Sequence, residues 1–316
     1  MTNLVSQLEG FTKTVPRTGS QQIWAIGGGK GGVGKSLFAA NVSIFLALLG
    51  NKVVSIDLDL GGANLHTCLG VPIPDQTLSD YVNKKVKSLE SLIAPTPIKN
   101  LGLISGAQDS VGIANLRRIQ KGKLMRKLGQ IDADYIIFDL GAGTALNTLD
   151  FFIMAHKGIL VVLPEPTSIE NTYRFIKSIH HRKLTHSEEF LDIRPLVSKV
   201  INDKMGADIT PSQLVDKAID LNPSLGTKLK FELENLRPKL VVNQVRTQSD
   251  IDIGFSMKSI CKKYFGVQID YVGYLDYDSA VWQSVKKKKP LIMEFPNCKL
   301  VNNFDRIVNR LLDEEE

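Results

Sequence analysis

The chain has 316 residues, of which 43% are hydrophobic and 23% charged, with a net charge of +6 and an isoelectric point near 9.0. These values are ordinary for a globular protein with a large core, and no apolar run approaches the roughly 20 residues that span a bilayer. The three cysteines are widely spaced and form no C-x-x-C pair, which argues against a disulfide framework and against an iron–sulfur cluster. The polar N-terminus lacks the apolar segment of a secretory signal, so we expect a cytoplasmic protein.

Residues 1–21 carry only weak helical periodicity and are predicted to form an N-terminal extension. Residues 22–316 are predicted to form one domain, which begins with a buried strand at residues 23–26. A glycine-rich stretch follows, and from Gly29 to Ser36 it fits the phosphate-loop pattern G-x-x-x-x-G-K-[ST]. Apolar residues at helical spacing come next, so the strand, the loop and the helix stand in the order that such a loop requires.

This loop predicts nucleotide binding. Glycines let the backbone N–H groups turn inward, where they can bind phosphate oxygens at the N-terminus of a helix. We expect Lys35 to neutralise the β- and γ-phosphates and the Ser36 hydroxyl to bind Mg²⁺. The candidate nucleotide-binding residues are Gly29, Lys30, Gly31, Gly32, Val33, Gly34, Lys35, Ser36 and Leu37.

Acidic residues stand at the ends of two further predicted strands. Residues 52–57 end at Asp57, with Asp59 close behind, and the apolar residues 135–138 run into Asp139. Because α/β sheets bind ligands at the carboxyl ends of their strands, we expect these three side chains near the phosphate loop. Asp57 and Asp139 are predicted to support Mg²⁺, and Asp59 is predicted to orient the water that attacks the γ-phosphate.

Two segments are strongly basic. A predicted helix at residues 116–128 carries six Lys or Arg residues and no acid, and residues 286–289 are four consecutive lysines. Such segments usually form the solvated face of an amphipathic element. The alternative, binding to the phosphates of DNA or to another anionic partner, stays open.

The alternation of strands and helices loosens over residues 182–238, which are predicted to form a helical insertion with helices at 193–205, 211–219 and 226–236. A connection about 50 residues long exceeds the usual link between a helix and a strand, so either a partner-binding or a decorative role is open. The next predicted strand ends at Asn243, whose amide can both donate to and accept from an adenine edge.

The C-terminal segment carries an apolar stripe at helical spacing and ends in four acidic residues. The stripe is typical of a helix that covers the sheet, and we predict such a helix. Binding of this helix to a membrane is the alternative, which the acidic end disfavours because anionic lipid headgroups would repel it. Taken along the whole chain, alternating strands and helices predict an α/β fold with a mostly parallel, doubly wound sheet and helices on both faces.

The form K-G-G-V-G-K-S, which begins at Lys30, resembles the deviant phosphate loop of the MinD/ParA family of ATPases. The D-L-D-L-G-G-A-N segment from Asp57 is similar to that family's D-x-D-x-G-x-x-N switch, and Asn243 lies in its N-x-V adenine motif. Asp276 stands where the family usually has proline. The resemblance implies a P-loop NTPase that binds ATP and Mg²⁺ and forms a homodimer, with Lys30 reaching the phosphates of the partner.

Two further segments resemble the FlhG/FleN branch of this family, which regulates flagellar number. They are D-L-G-A-G at residues 139–143 and E-P-T-S-I-E-N-T-Y at residues 165–173. This resemblance implies an ATP-dependent dimerisation switch that positions or counts a cell structure, such as a flagellum or another polar apparatus, together with a protein partner. The alternative is a ParA-type ATPase that binds DNA without sequence preference, so the expected surface is either the inner membrane or the nucleoid.

Overall fold

The computed structural model describes residues 20–59, 62–106, 118–190 and 211–313. Most of the predicted N-terminal extension, the helix expected at residues 193–205 and the start of the helix expected from residue 116 lie outside these ranges. Within them, no helix is both long enough and apolar enough to cross a bilayer.

Eight strands form one sheet in the order β3-β4-β2-β5-β1-β6-β7-β8. Neighbouring strands are parallel except β3 and β4, which form a short antiparallel edge. The predicted doubly wound, mostly parallel sheet is confirmed, whereas the two-residue strand β3 carries no sequence pattern that could predict it. The strands are β1 (Gln22–Gly27), β2 (Val53–Leu58), β3 (Ala94–Pro95), β4 (Leu101–Ile104), β5 (Tyr135–Leu140), β6 (Lys157–Val162), β7 (Lys239–Val245) and β8 (Asp270–Asp276).

Helices cover both faces of the sheet, which explains why the central strands β2 and β5 are buried along their whole length. The helices are α1 (Lys35–Leu48), α2 (Leu65–Cys68), α3 (Leu78–Val82), α4 (Arg118–Leu128), α5 (Leu146–Met154), α6 (Pro166–Phe190), α7 (Pro211–Leu221), α8 (Pro223–Glu234), α9 (Gln248–Ile260), α10 (Ala280–Lys286), α11 (Leu291–Glu294) and α12 (Lys299–Asp313). On one face α1 packs on α12 through Phe38 and Phe304, whose ring centroids lie 5.7 Å apart. On the other face α5 packs on α6 through Phe152 and Phe175, at 5.2 Å.

The predicted insertion emerges from a helix that does not stop where the sequence pattern loosens. The sequence suggests a helix end near His180, but α6 continues to Phe190. Its last turns carry Leu184, which packs with α7 and α8 in a small apolar cluster separate from the main core. Lys183 of α6 also forms a 2.7 Å ion pair with Glu232 of α8. The described part of the insertion therefore has its own core, although the division of the chain into an extension and a domain stays a prediction.

The last helix, α12, covers the sheet as the sequence predicts. Its apolar stripe is buried against α1 and β8, and Arg310 binds the backbone carbonyl of Val272 at 3.0 Å. The stripe consists of Leu300, Val301, Phe304, Ile307, Val308, Leu311 and Leu312. Because these side chains form part of the core, lipid could reach them only if the helix left the sheet.

Candidate nucleotide-binding site

The phosphate loop connects β1 to α1 at the carboxyl edge of the sheet. Gly34 has a φ of +96°, a left-handed conformation that glycine adopts without strain. Gly29 passes so close to α6 that a Cβ atom there would stand 2.2 Å from the carbonyl oxygen of Asn171. Gly31 and Gly32, in contrast, face open space. One side of the loop is therefore held against α6, and the other side is free to receive a ligand.

Lys35 is the first residue of α1, and its side chain is buried. Its Nζ lies 3.5 Å from the backbone carbonyl oxygen of Lys30, within the loop. Burial lowers the pKa of the Lys35 ammonium, while the negative charges of Asp139 and Asp59 favour its charged form. Ser36 and Leu37, which follow in the first turn, are half-buried. A buried ammonium inside a glycine loop is suited to bind phosphate oxygens.

Asp57 and Asp139 lie side by side at the ends of neighbouring strands. They are register partners on β2 and β5, and they are 1% and 0% exposed. Asp57 accepts hydrogen bonds from the backbone N–H groups of Asp59, at 3.0 Å, and Leu65, at 3.1 Å. Burial raises the pKa of Asp57 to about 6, although these two hydrogen bonds favour its charged form.

Asp139 is the less satisfied of the two carboxyl groups. Neither of its carboxyl oxygens has a hydrogen-bond partner among the described residues. Burial and the charge of Asp57 raise the pKa of Asp139 well above its usual range, whereas the Ser36 hydroxyl and the Lys35 ammonium oppose this rise. Buried polar atoms without partners are rare and call for an explanation such as an ion. Mg²⁺ takes carboxylate and hydroxyl oxygens together with phosphates and water, so Ser36, Asp57 and Asp139 fit this ion.

While it is empty, a metal site of this kind should lower the free energy of unfolding of the protein. Asp139→Asn is therefore expected to raise the free energy of unfolding of the nucleotide-free protein, because the raised pKa of Asp139 means that the folded state disfavours its carboxylate, while Asp59 remains as a counter-charge for Lys35. Thermal unfolding at neutral pH measures this gain, and Asp132→Asn, at an exposed carboxylate, is the control that should gain nothing. The Asp139→Asn protein should also lose the Mg²⁺-dependent part of its ATP affinity. A less stable Asp139→Asn protein, or an unchanged response to Mg²⁺, would contradict the metal assignment.

The raised pKa of Asp57 predicts how the stability of the protein depends on pH. Its folded-state pKa of about 6 lies above the unfolded value of about 4, so the folded protein binds the proton first as the pH falls. The free energy of unfolding of the nucleotide-free protein should therefore rise as the pH falls from about 7 to about 5. Mg²⁺ with nucleotide should reverse this trend, because a bound cation favours the charged carboxylate.

Asp59 lies beside the loop that follows β5. A Cβ atom on Gly141 would stand 3.3 Å from Oδ1 of Asp59, so a side chain at this position would crowd the carboxylate. Two residues later, the backbone N–H of Gly143 donates to the carbonyl oxygen of Gly28, at 3.2 Å. The loop at residues 140–143 thus contacts both the carboxylate predicted to orient water and the backbone of the phosphate loop.

Lys30 is bound within its own chain. Its Nζ lies 3.3 Å from Oε2 of Glu165 and 3.1 Å from Oγ1 of Thr167, at the start of α6. The side chains of Lys30 and Glu165 are 40% and 54% exposed, so the ion pair contributes at most about 1 kcal/mol. The sequence indicates neither partner, since they lie more than 130 residues away along the chain. Such a weak contact could be exchanged for a phosphate group.

Asn243 lies in β7 against the phosphate loop. Its Nδ2 donates to the carbonyl oxygen of Val33 at 2.8 Å, and its Oδ1 accepts from the backbone N–H of Gln244 at 2.9 Å. A Cβ atom on Gly34 would stand only 2.4 Å from the same Nδ2. The amide therefore supports the loop, and its contact with adenine stays a prediction.

A pair of side chains that sequence reasoning missed stands at the same edge of the sheet. The guanidinium of Arg246 lies over the exposed ring of Tyr277, 4.1 Å from its centroid. Tyr277 follows Asp276, whose backbone N–H donates to Oδ1 of Asn303 at 3.2 Å. Proline, which the resembled family usually has at position 276, could not make this bond. An aromatic residue directly after the strand was the available signal for this stack.

The comparisons with known proteins agree with this geometry. Residues 21–193, more than half of the chain, match a family described as an AAA domain. The antiactivator FleN of Pseudomonas aeruginosa is 26% identical over 293 residues, which cover 92% of this chain and 86% of FleN. The resemblance to the MinD/ParA family and its FleN branch, predicted from the sequence, is thereby confirmed.

Solved structures with a similar fold include two MinD proteins. The septum site-determining protein MinD of Pyrococcus horikoshii, complexed with Mg-ADP, superposes with a TM-score of 0.62 at 21% identity, covering 92% of this chain and 96% of that one. MinD in the MinC:MinD cell division complex of Aquifex aeolicus has a TM-score of 0.60 at 19% identity, with coverage of 92% and 96%. At these identities the superpositions establish the fold.

Proposed function

Because the chain belongs to the AAA-domain family that its residues 21–193 match, we propose that it is a MinD/ParA-type ATPase whose ATP-bound dimer positions or counts a cell structure. The likeness to FleN, which extends over nearly the whole chain, supports this proposal. The observation that carries it is the buried Lys35 ammonium inside a glycine loop, next to the buried carboxyls of Asp57 and Asp139.

ATP is the proposed substrate. The backbone N–H groups of the loop and Lys35 bind its phosphates, and Asn243, which holds the loop at Val33, lies on the side proposed for the adenine. Ser36, Asp57 and Asp139 would hold Mg²⁺, which when bound neutralises charge on the phosphate oxygens. The Mg-ADP complex of P. horikoshii MinD supports this combination of nucleotide and metal.

Hydrolysis and dimerisation are assigned to two different residues. Asp59 accepts a hydrogen bond from water and directs it toward the γ-phosphate. Lys30 leaves Glu165 and binds the phosphates of the nucleotide held by a second protomer. Gly143, in the loop that leads into α5, contacts the phosphate loop. Loss of the γ-phosphate therefore changes the conformation of the loop before α5, and this change opens the dimer.

The proposed role includes a protein partner, since FleN is named an antiactivator and A. aeolicus MinD forms a complex with MinC. A flagellum or another polar apparatus is the proposed target, and the cytoplasmic surface of the inner membrane or the nucleoid is the proposed place of action. The DNA-binding alternative has less support, because Lys121 is buried and Lys287 and Lys289 are paired with Glu294.

Lys35→Ala tests the function directly. The variant is expected to lose ATP affinity by a factor on the order of 100 or more, because the phosphates lose a buried, charged hydrogen-bond donor. Calorimetric titration with Mg-ATP measures the affinity. Lys52→Ala, which removes an exposed lysine paired with Asp132, is the matched control and should bind ATP normally. Equal affinity of the wild type and the Lys35→Ala protein would overturn the assignment of the site.

A further inference from the structure

A basic groove lies between α3 and α4 and shares no residue with the candidate nucleotide site. It encloses a volume of about 840 Å³, and its lining includes no acidic residue. Five basic side chains line it, all of them exposed: Lys84, Lys87, Lys123, Arg126 and Lys127.

None of these five side chains forms an ion pair with a carboxylate of the described residues. Lys127 donates a hydrogen bond to the uncharged amide of Gln130, at 3.0 Å, and after the Ser88 hydroxyl its charge helps to lower the pKa of the Glu90 carboxyl. In the four-lysine run at residues 286–289, by contrast, Lys287 and Lys289 lie 2.6 Å and 3.1 Å from Glu294. The charge of the groove is therefore complementary to that of an acidic partner.

The floor of the groove is apolar. Tyr81, Val82 and Val86 are half-buried and Leu124 is buried, and all four belong to the lining. Duplex DNA would place its phosphates against the projecting basic side chains and would leave such a floor uncovered. A peptide can reach both parts, with carboxylates at the rim and apolar side chains on the floor.

We propose that this groove binds an acidic segment of a partner protein that also carries apolar side chains. The basic side chains attract the segment and fix its direction, and the floor formed by Tyr81, Val82 and Val86 holds its apolar residues. This inference goes beyond the proposed function, because it states the chemistry of the partner and the surface that recognises it.

The test uses a fluorescent synthetic peptide with Glu and Leu at helical spacing, added to the full-length protein. Binding is followed by fluorescence anisotropy. Lys123→Gln, Arg126→Gln and Lys127→Gln together should weaken binding by a factor of roughly 3 to 150, since each exposed charge pair contributes a factor of about 1.4 to 5. The matched control, Lys286→Gln with Lys287→Gln and Lys289→Gln, removes the same net charge elsewhere and should bind the peptide nearly as well as the wild type.

A second comparison separates a peptide site from a general anion site. Val86→Ser should weaken binding of the Glu-Leu peptide and leave binding of a Glu-Ser peptide and of a short DNA duplex unchanged. Equal losses in both triple variants, no peptide binding by the wild type, or a groove variant that loses DNA but keeps the peptide would each overturn the proposal. ATP binding by the groove variant should stay normal, so a failure here is distinct from a failure of the proposed function.

Discussion

The Asp59→Ala protein is expected to persist as a closed dimer with ATP, whereas the Lys30→Ala protein is expected to bind ATP and remain a monomer. Asp59 lies beside Gly141 and is the carboxylate proposed to orient water. Its loss should slow hydrolysis by a factor on the order of 100 to 10,000. Lys35 keeps its place in the loop and the larger favourable charge of Asp139, so ATP should still bind and the closed state should accumulate. Lys30 supplies the proposed contact across the dimer, so its loss should prevent closure.

Light scattering in the presence of Mg-ATP measures the mass of both variants, and phosphate release measures their hydrolysis. With ADP in place of ATP, all of the proteins should be monomers, which controls for association that does not depend on the γ-phosphate. A monomeric Asp59→Ala protein, or a Lys30→Ala protein that dimerises and hydrolyses ATP normally, would contradict the mechanism.

The contact of Lys30 with Glu165 suggests a third variant, which should favour the dimer where Lys30→Ala prevents it. Glu165→Gln removes the charge that holds Lys30, at 3.3 Å, and keeps the shape of the side chain. Because the ion pair is exposed and contributes at most about 1 kcal/mol, the variant should favour the dimer by no more than about fivefold. The same change combined with Lys30→Ala should have no effect, since the ion pair is then already absent. An effect of equal size in that background would show that Glu165 acts by another route.

Local patterns in the sequence predict the fold and most of the candidate site. Strand, glycine loop and helix are adjacent along the chain, so the position of Lys35 follows from the phosphate-loop pattern alone. Asp57 and Asp139 are far apart in sequence, but each ends a buried strand, and parallel strands bring their carboxyl ends to one edge. The register pairing of these two residues on β2 and β5 is the physical outcome of that rule.

The missed features depend on contacts between distant segments. Nothing near Lys30 in the sequence indicates Glu165, and nothing near Asn243 indicates the carbonyl of Val33. The interpretation of residues 116–128 as a solvated basic face was wrong for Lys121, which is 5% exposed. Composition and helical periodicity could not identify it as a core residue, because its partner is a carboxylate on another helix.

That partner is Asp150, which ties three helices together. It lies on α5, is 1% exposed, and forms ion pairs with Lys121 of α4 and with Arg182 of α6. The Nε atom of Arg182 lies 2.6 Å from Oδ1 of Asp150, and Nε2 of His186 lies 3.3 Å from it. Burial alone would raise the pKa of Asp150, but its contacts with the His186, Arg182 and Lys121 side chains hold it well below its usual range.

Asp150→Asn is therefore expected to lower the free energy of unfolding by about 3–5 kcal/mol, because it leaves the buried ammonium of Lys121 without a counter-charge. For a chain of 316 residues this corresponds to a fall in Tm of roughly 5–8 °C in thermal unfolding. The depressed pKa of Asp150 also means that its contribution to stability is complete above about pH 4 and is lost as the pH falls further. Acid should therefore destabilise the Asp150→Asn protein less than it destabilises the wild type.

The chain contains a matched control for this change. Asp270 also binds three basic side chains, Arg237, Lys239 and Lys258, but its side chain is 17% exposed. Asp270→Asn should cost only about 1 kcal/mol, since water can replace the lost partner. Adding Lys121→Met to Asp150→Asn should recover most of the lost stability, because Arg182 is partly exposed and can reach solvent. If Asp150→Asn cost no more than Asp270→Asn, or if Lys121→Met gave no recovery, burial of the Lys121 charge could not be the cause.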